Sequence, residues 1–95
     1  MKYQRVRNFY GGEFVESASG NDLDVTSPID GNLLSTVPMS TVDELNAAVA
    51  SAKAAQGSWG QQPIKERVQV FFRYRNLLEA NSDELTALIA EENGK

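Results

Sequence analysis

The pattern of apolar segments and turn residues predicts β-structure over the first forty residues of the chain. Val6–Tyr10 and Glu13–Glu16 flank Gly11-Gly12, and a Gly-Gly dipeptide suits the positive φ angles of a two-residue hairpin turn. The aromatic and β-branched residues of both segments fit a half-buried pleated surface. The pattern therefore predicts a first β-hairpin, followed by a small polar loop over Ser17–Asn21.

A second hairpin is predicted directly after this loop. Leu23–Thr26 alternates apolar and polar residues, and Ser27-Pro28 ends the strand because proline cannot donate to a β-ladder. Asp30-Gly31 is a turn signal. Leu33–Val37 then returns as the partner strand, and Pro38 closes it.

After Pro38 the period of the apolar residues changes from two to about 3.6, which indicates helices. Thr41 and Glu44 have the spacing of a capping box, in which each side chain accepts a hydrogen bond from the other residue's backbone amide. Gly57 is expected to stop this helix, so that Trp59 and Gly60 lie in a connector. The helix has a narrow apolar stripe, formed by Leu45, Ala48, Val49, Ala52 and Ala55.

Two further helices are predicted. The second runs from about Pro63 to about Ala80, since proline is tolerated in a first helical turn. Its apolar face carries Ile64, Val68, Phe71, Tyr74 or Arg75, and Leu78, with Phe72 and Leu77 beside it. Asn81 or Ser82 can cap the third helix, and Asn93-Gly94 ends it. The apolar stripe of the third helix consists of Leu85, Leu88 and Ile89.

These elements predict an α+β chain of two β-hairpins, in residues 1–38, followed by three α-helices, in residues 39–95. A length of 95 residues is enough for one small domain. The net charge of −4 disfavours nucleic acid and anionic membrane as partners, because both attract clustered positive charge. No long apolar run suggests a signal peptide or a membrane span, so a cytoplasmic location is expected.

Candidate chemistry is scarce. The chain contains neither Cys nor His, which removes the thiol nucleophile, the commonest general base and the commonest metal ligands. A Ser–Lys arrangement is conceivable, but Lys53 and Lys65 lie on helical faces that the pattern assigns to solvent. The adjacent carboxylates of Asp43-Glu44, Asp83-Glu84 and Glu91-Glu92 point in different directions on a helix, which argues against acid–base pairs.

Three other patterns could indicate binding sites. Gly57–Gly60 lies between two predicted helices and lacks the strand–glycine–helix order of a phosphate loop. Asn21–Asp24 does not continue into an EF-hand. Phe71–Arg75 interleaves aromatics with arginines, but inside a helix core contacts are favoured over a nucleic-acid platform, and Arg73 or Arg75 is expected to pair with Glu79. No catalytic, cofactor-binding or metal-binding residue is predicted.

The order of the motifs is more informative than any one of them. Six segments resemble, in sequence, the beginning of the aldehyde dehydrogenase family: Asn8–Val15, Ser27–Pro38, Thr41–Ala55, Trp59, Arg67 and Glu91–Lys95. One departure is Gln56, where the family usually has an aromatic residue. Three segments are most similar to the methylmalonate-semialdehyde branch of the family: Phe14–Ser17, Phe72–Tyr74 and Ile89–Lys95.

The resemblance implies that residues 1–95 are the N-terminal part of an α/β cofactor-binding domain in a much longer NAD(P)-dependent enzyme. In such enzymes a cysteine thiolate attacks an aldehyde and hydride passes to NAD(P)+, which leaves a thioester on the cysteine. Water then hydrolyses this thioester or, in the methylmalonate-semialdehyde branch, coenzyme A takes the acyl group, and the cysteine thiol is regenerated. The family's catalytic cysteine, asparagine, lysine and glutamate lie downstream of the matched segments. The chain is therefore expected to be inert alone, with the remainder of the parent enzyme as its partner.

Two other hypotheses remain open from the sequence. The chain could be a standalone interaction or oligomerisation module that shares this piece of the fold, or an unrelated small α+β structural protein. The end of the chain directly after Asn93-Gly94 favours a truncation over a natural terminus. The isolated chain is also expected to self-associate, or to exchange elements between copies, because several apolar residues need a cover: Phe71, Leu78, Leu85 and Ile89.

Overall fold

The computed structural model describes residues 1–95 and contains two antiparallel two-stranded sheets followed by three α-helices. This arrangement confirms the predicted α+β order. The elements are β1 (Asn8–Tyr10), β2 (Glu13–Val15), β3 (Asp22–Thr26), β4 (Leu33–Pro38), α1 (Val42–Gly60), α2 (Ile64–Ala80) and α3 (Ser82–Asn93).

The β1–β2 hairpin turns at Gly11 and Gly12, which have φ angles of +63° and +82°. Glycine adopts this left-handed region without a steric penalty, so the sequence signal and the observed turn agree. Phe9 pairs with Phe14 across the strands, and their rings meet edge to face at 5.0 Å between centroids. Both rings lie on the exposed face of the hairpin, whereas Tyr10 approaches α1.

The small core lies around β4. The N-terminal segment runs beside this strand, where the Tyr3 amide donates to the Leu34 carbonyl and the Val6 amide donates to the Thr36 carbonyl. On its other edge β4 pairs with β3, with an irregularity between Val25 and Thr26. Only five residues of the chain are buried, and they are Ser17, Ser27, Leu34, Ser35 and Pro38.

Helix α1 contradicts one boundary of the sequence prediction. It does not stop at Gly57 but continues to Gly60, so Trp59 lies in its last turn and not in a connector. Gly57 has no positive φ angle, and one glycine in an alanine-rich helix costs only about 1 kcal/mol. The helix ends where Pro63 follows, because proline disfavours helical geometry in the residue before it.

Helices α2 and α3 match their predicted bounds closely. The left-handed Gly94, with φ of +72°, ends α3 as expected. The predicted side-chain cap of α3 is absent, since the Asn81 amide group donates instead to the Leu77 carbonyl at the end of α2. Arg75 pairs with Glu79 one turn later, with 3.2 Å between Nε and Oε1, which confirms the predicted pair.

The molecule is far more open than a globular domain of its length. Its radius of gyration is 17.0 Å, compared with about 12 Å expected for 95 residues. Neither α2 nor α3 contains a buried residue. The predicted core contacts of Phe71 and Tyr74 are therefore wrong for this chain, since these side chains are 65% and 58% exposed. None of the helices combines the length and apolar character needed to cross a membrane.

Candidate functional site

The acidic residues that could act as catalytic groups occupy structural positions. Glu44 caps α1, and Glu91 pairs with Lys2. Asp83 and Glu84 lie in the first turn of α3, where negative charge complements the helix dipole. The chain contains no group of three acidic residues placed to hold a metal ion. These observations assign the acidic residues to helix ends and ion pairs.

One polar cluster joins the β2–β3 loop to the start of α1, and we call it the loop clamp: Glu44, Thr41, Ser17 and Ala18. Glu44 Oε2 accepts hydrogen bonds from the Thr41 amide and the Ser17 hydroxyl, each at 2.8 Å. Glu44 Oε1 accepts from the Ala18 amide at 2.6 Å. The Thr41 amide, then the Ser17 hydroxyl, then the Ala18 amide lower the pKa of Glu44, because each bond favours the carboxylate.

Arg5 also binds the β2–β3 loop. Its Nε and Nη2 donate to the two carboxylate oxygens of Asp22 at 2.8 and 2.7 Å, a bidentate pair. The remaining donors reach the carbonyls of Ser17 and Ser19 at 3.0 and 3.1 Å. The Arg5 guanidinium accordingly lowers the pKa of Asp22, and the hydrogen bond to Asp22 raises the pKa of Arg5.

A second cluster, the terminal clamp of Lys2, Tyr3 and Glu91, ties the N-terminal segment to α3. Lys2 Nζ and the Tyr3 hydroxyl donate to the two oxygens of Glu91 at 2.6 and 2.7 Å. The Lys2 ammonium, followed by the Tyr3 hydroxyl, lowers the pKa of Glu91. The partners lie at opposite ends of the sequence, so this clamp closes the chain into one unit.

Sequence reasoning found only part of these clusters. The capping-box spacing predicted the bonds between Thr41 and Glu44, and both are present. It did not predict that the same carboxylate holds Ser17 and Ala18, or that Arg5 and Glu91 have partners, because these contacts are distant in sequence and carry no periodic signal. Both clusters use their polar groups to join elements, and neither lies in an enclosed cavity.

The largest concavity, of about 580 Å³, lies on the outer face of α1 and is lined by Val49, Ala52, Lys53, Ala55, Gln56 and Trp59. A dinucleotide needs several backbone amides directed at its phosphates, usually from a glycine-rich loop after a strand. Here Gly57 and Gly60 lie within α1, whose amides are engaged in the helix. The residues that line this concavity therefore do not fit a nicotinamide dinucleotide.

Comparison with known protein families decides the identity of this fold. Residues 14–95 match the model of the aldehyde dehydrogenase family. The chain belongs to the aldehyde dehydrogenase family. This finding confirms the resemblance carried by the motif order and excludes an unrelated small structural protein.

Within the aldehyde dehydrogenase family, the chain is similar to proteins that act on small semialdehydes. It is 44% identical over 90 residues to malonate-semialdehyde dehydrogenase 3 of Geobacillus kaustophilus, covering 95% of this chain and 19% of that protein. It is 42% identical over 92 residues to malonate-semialdehyde dehydrogenase of Halalkalibacterium halodurans, covering 97% of this chain and 19% of the relative. The chain thus spans about a fifth of the length of these relatives.

Solved structures place the same fold in larger enzymes. A crystal structure from Sinorhizobium meliloti 1021, assigned as a methylmalonate-semialdehyde dehydrogenase and complexed with NAD, matches with a TM-score of 0.88 and 34% identity. The match covers 97% of this chain and 18% of that one. A 3,6-anhydro-L-galactose dehydrogenase in complex with NADP matches with a TM-score of 0.85, 27% identity, and coverage of 95% and 19%. The predicted similarity to the methylmalonate-semialdehyde branch is confirmed.

Proposed function

We propose that the chain is the N-terminal segment of the cofactor-binding domain of an NAD(P)-dependent aldehyde dehydrogenase. The parent enzyme oxidises malonate semialdehyde, methylmalonate semialdehyde or a similar aldehyde through a cysteine thioester, and transfers the acyl group to coenzyme A or water. The segment is inert alone and supplies framework to a site formed by other residues. The observation that carries this proposal is the match of almost the whole chain to about a fifth of each relative.

The exposed surface supports a role as part of a larger structure. The accessible area is 7596 Å², whereas a folded monomer of 10.4 kDa exposes about 5,400 Å². Much of the excess is apolar and lies on the helices, including Phe71, Leu77 and Ile89. Surfaces of this kind are normally covered by another part of the protein or by a partner.

Arg67 supports the same proposal. Its Nε atom is buried and donates to no acceptor within the chain. Buried donors are paired in the great majority of native structures, because an unpaired one costs about 1–3 kcal/mol. We expect a carbonyl or carboxylate from the rest of the enzyme to accept this hydrogen bond.

The cofactor assignment rests on the relatives, two of which are complexed with NAD or NADP. The residues of this chain provide no thiol, no imidazole and no phosphate cradle. Cofactor binding and acyl transfer are therefore proposed for the parent enzyme alone.

The reading frame beyond codon 95 tests the proposal most directly. We expect it to continue and to encode a glycine-rich segment and a later cysteine. The longer protein should oxidise malonate or methylmalonate semialdehyde with NAD(P)+, and adding coenzyme A should distinguish acyl transfer from hydrolysis. A stop codon directly after Lys95 would contradict the proposal.

The isolated chain provides the complementary measurement. Calorimetry with NAD+ at millimolar concentration should show no saturable binding, and the chain should not turn over a semialdehyde. Saturable binding would place part of the cofactor site in residues 1–95. Turnover would show that catalysis does not require the proposed parent enzyme.

The second candidate is a standalone interaction or oligomerisation module. The terminal clamp favours it, since Glu91 is held by both Lys2 and Tyr3 and joins the two ends of the chain. A natural stop codon after Lys95, together with a stable cooperative fold of the 95-residue protein, would favour the module over the enzyme segment.

A further inference from the structure

Helix α3 is held to the β3–β4 sheet by little apolar packing. None of its residues is buried, and only Leu88, Ala90 and Glu91 are half-buried. A concavity of about 330 Å³ is lined by Leu88 of α3 together with Val6 of the N-terminal segment and Leu34 of β4. Apolar contacts therefore attract α3 to the sheet only weakly, because side chains lose their dispersion contacts where a gap lies between them.

The side-chain hydrogen bonds that join α3 to the rest of the chain all end at one residue. Glu91 accepts from Lys2 Nζ at 2.6 Å and from the Tyr3 hydroxyl at 2.7 Å. The other side-chain hydrogen bond of α3, from Asn93 to the Ile89 carbonyl, stays within the helix. The terminal clamp is therefore the polar link between α3 and the N-terminal segment, which itself pairs with β4 through backbone amides.

The charge of Glu91 is stabilised by this link and not by its own helix. Glu91 and Glu92 both lie in the last turn of α3, where the negative end of the helix dipole disfavours a carboxylate. Glu92 lines the same concavity and has no ion-pair partner, whereas Glu91 meets an ammonium and a hydroxyl. Asp30, in the turn between β3 and β4, repels the negative charge of Glu91. The carboxylate of Glu91 thus favours the fold only through Lys2 and Tyr3.

We propose that the terminal clamp is a charge-dependent latch, which docks α3 against the β3–β4 sheet and releases it when Glu91 is neutralised. In the released state α3 moves away from the sheet about Asn81, which joins it to α2 without a side-chain cap, and the lining of the concavity opens to water. The hydrogen bonds between β3 and β4 take no part in the latch, so the sheet stays folded. The latch is independent of the enzymatic function proposed above, since it involves only residues of this chain.

The latch should be closed over a defined pH range. The Lys2 ammonium, followed by the Tyr3 hydroxyl, lowers the pKa of Glu91, so the carboxylate stabilises the closed state fully above its ordinary value of about 4.3. That stabilisation is lost as the pH falls further. The hydrogen bonds to Glu91 raise the pKa values of Lys2 and Tyr3, so their contribution is complete below about pH 10 and is lost as the pH rises further.

Two neutral variants of the same helical turn test the proposal in the complete 95-residue chain. Glu91→Gln removes the carboxylate of the latch, and Glu92→Gln removes the same charge from the next residue. Amide hydrogen exchange followed by NMR at neutral pH measures α3 and β4 separately. Glu91→Gln should speed the exchange of the α3 amides about threefold or more, while the β4 amides exchange at the native rate.

The sign of the effect distinguishes the latch from the helix dipole. Glu92→Gln should leave the exchange of the α3 amides unchanged or slow it, because the variant removes an unfavourable charge from the end of the helix. The dipole alone predicts the same result for Glu91→Gln, so slower or unchanged exchange in that variant would overturn the proposal. Equal acceleration by the two variants would also overturn it, and so would equal acceleration of α3 and β4, which would mean that Glu91 stabilises the whole chain.

Protection factors measured across the pH range test the charge dependence separately. In the native chain the protection of the α3 amides, relative to those of β4, should fall as the pH drops below about 4.3. In Glu91→Gln the relative protection of α3 should already be low at neutral pH and should show no such step. A native chain in which the relative protection of α3 stays constant through this range would contradict the charge-dependent release.

Discussion

At the scale of single residues, charged and polar side chains join parts of the chain that are distant in sequence. Glu44 connects α1 to the β2–β3 loop, and Arg5 binds Asp22 at the end of the same loop. Glu91 accepts hydrogen bonds from Lys2 and Tyr3. With only five buried residues, apolar burial alone cannot position these segments. The side-chain hydrogen bonds of Glu44, Arg5 and Glu91 therefore help to position the loop and the N-terminal segment, which also pairs with β4 through backbone hydrogen bonds.

Replacing Glu44 tests the loop clamp. Glu44→Gln should lower the thermal midpoint, because the amide is a weaker acceptor and brings unwanted donors toward the Ser17 hydroxyl and the Ala18 amide. The folded protein lowers the pKa of Glu44, so the carboxylate stabilises the fold fully above its unfolded value of about 4.3 and loses that effect as the pH falls further. The difference between native chain and variant should therefore shrink below about pH 4.3.

Asp43→Asn is the matched control for this prediction, since it removes one negative charge from the same helical turn without touching the loop. Circular dichroism melts of the three proteins across the pH range provide the measurement. Equal losses for both variants at neutral pH would show that the helix dipole, and not the loop contact, explains the role of Glu44.

Replacing Gly94 or Gly57 with alanine should change the free energy of unfolding in opposite directions. Gly94 has a φ angle of +72°, and an added Cβ would lie 2.9 Å from Pro28 Cγ, so Gly94→Ala should destabilise by about 1–2 kcal/mol. Gly57 lies inside α1 with open space around it, so Gly57→Ala should stabilise by about 0.5–1 kcal/mol. Thermal unfolding measures both, and a destabilised Gly57→Ala would show that Gly57 serves a purpose other than helix formation.

At the scale of elements, local signals account for most of what forms. The Gly11-Gly12 turn, the capping box at Thr41 and the left-handed Gly94 all lie where the sequence places them. The predicted end of α1 at Gly57 is wrong because a helix interior tolerates glycine, and the helix ends instead at Gly60, ahead of Pro63. A helix boundary thus depends on the stronger of two competing signals.

The first hairpin should depend on its aromatic pair. Phe9 and Phe14 meet edge to face on an exposed surface, with the Arg7 guanidinium 4.9 Å from the Phe14 ring. A double-mutant cycle of Phe9→Ala and Phe14→Ala should give a coupling of about 0.5–1.5 kcal/mol, since such pairs contribute beyond their burial. Phe71 is equally exposed and has no aromatic partner, so a Phe9→Ala and Phe71→Ala cycle should show coupling close to zero. Equal couplings in the two cycles would contradict a specific ring contact.

At the scale of the whole molecule, the chain is extended, with dimensions of 49 by 34 by 16 Å. Its helices turn apolar residues outward, and the buried residues cluster around β4. This distribution is what a segment of a larger domain would have if its neighbours were removed. Local stability should therefore differ along the chain, because the protection of an amide against hydrogen exchange depends on local burial and packing.

Hydrogen exchange should show this difference in local stability between β4 and α2. The β4 amides paired with β3 should exchange slowly, because Leu34, Ser35 and Pro38 are buried there. Amides of α2 should exchange much faster, since the helix buries no residue. Mass spectrometry of the 95-residue chain measures both segments in one experiment. Uniform protection across β4 and α2 would show that the helices are held by a core that the structure does not contain.

The sequence by itself determined the two hairpins, the three helices, the capping box and membership of the aldehyde dehydrogenase family, because turns, caps and periodicity are local and the family motifs occur in order. Only the tertiary structure decided that Glu44 holds the β2–β3 loop, that Glu91 joins the chain ends, and that Phe71 and Tyr74 lie exposed. Periodicity identifies an apolar face, but whether that face is covered depends on which other segments are present to pack against it.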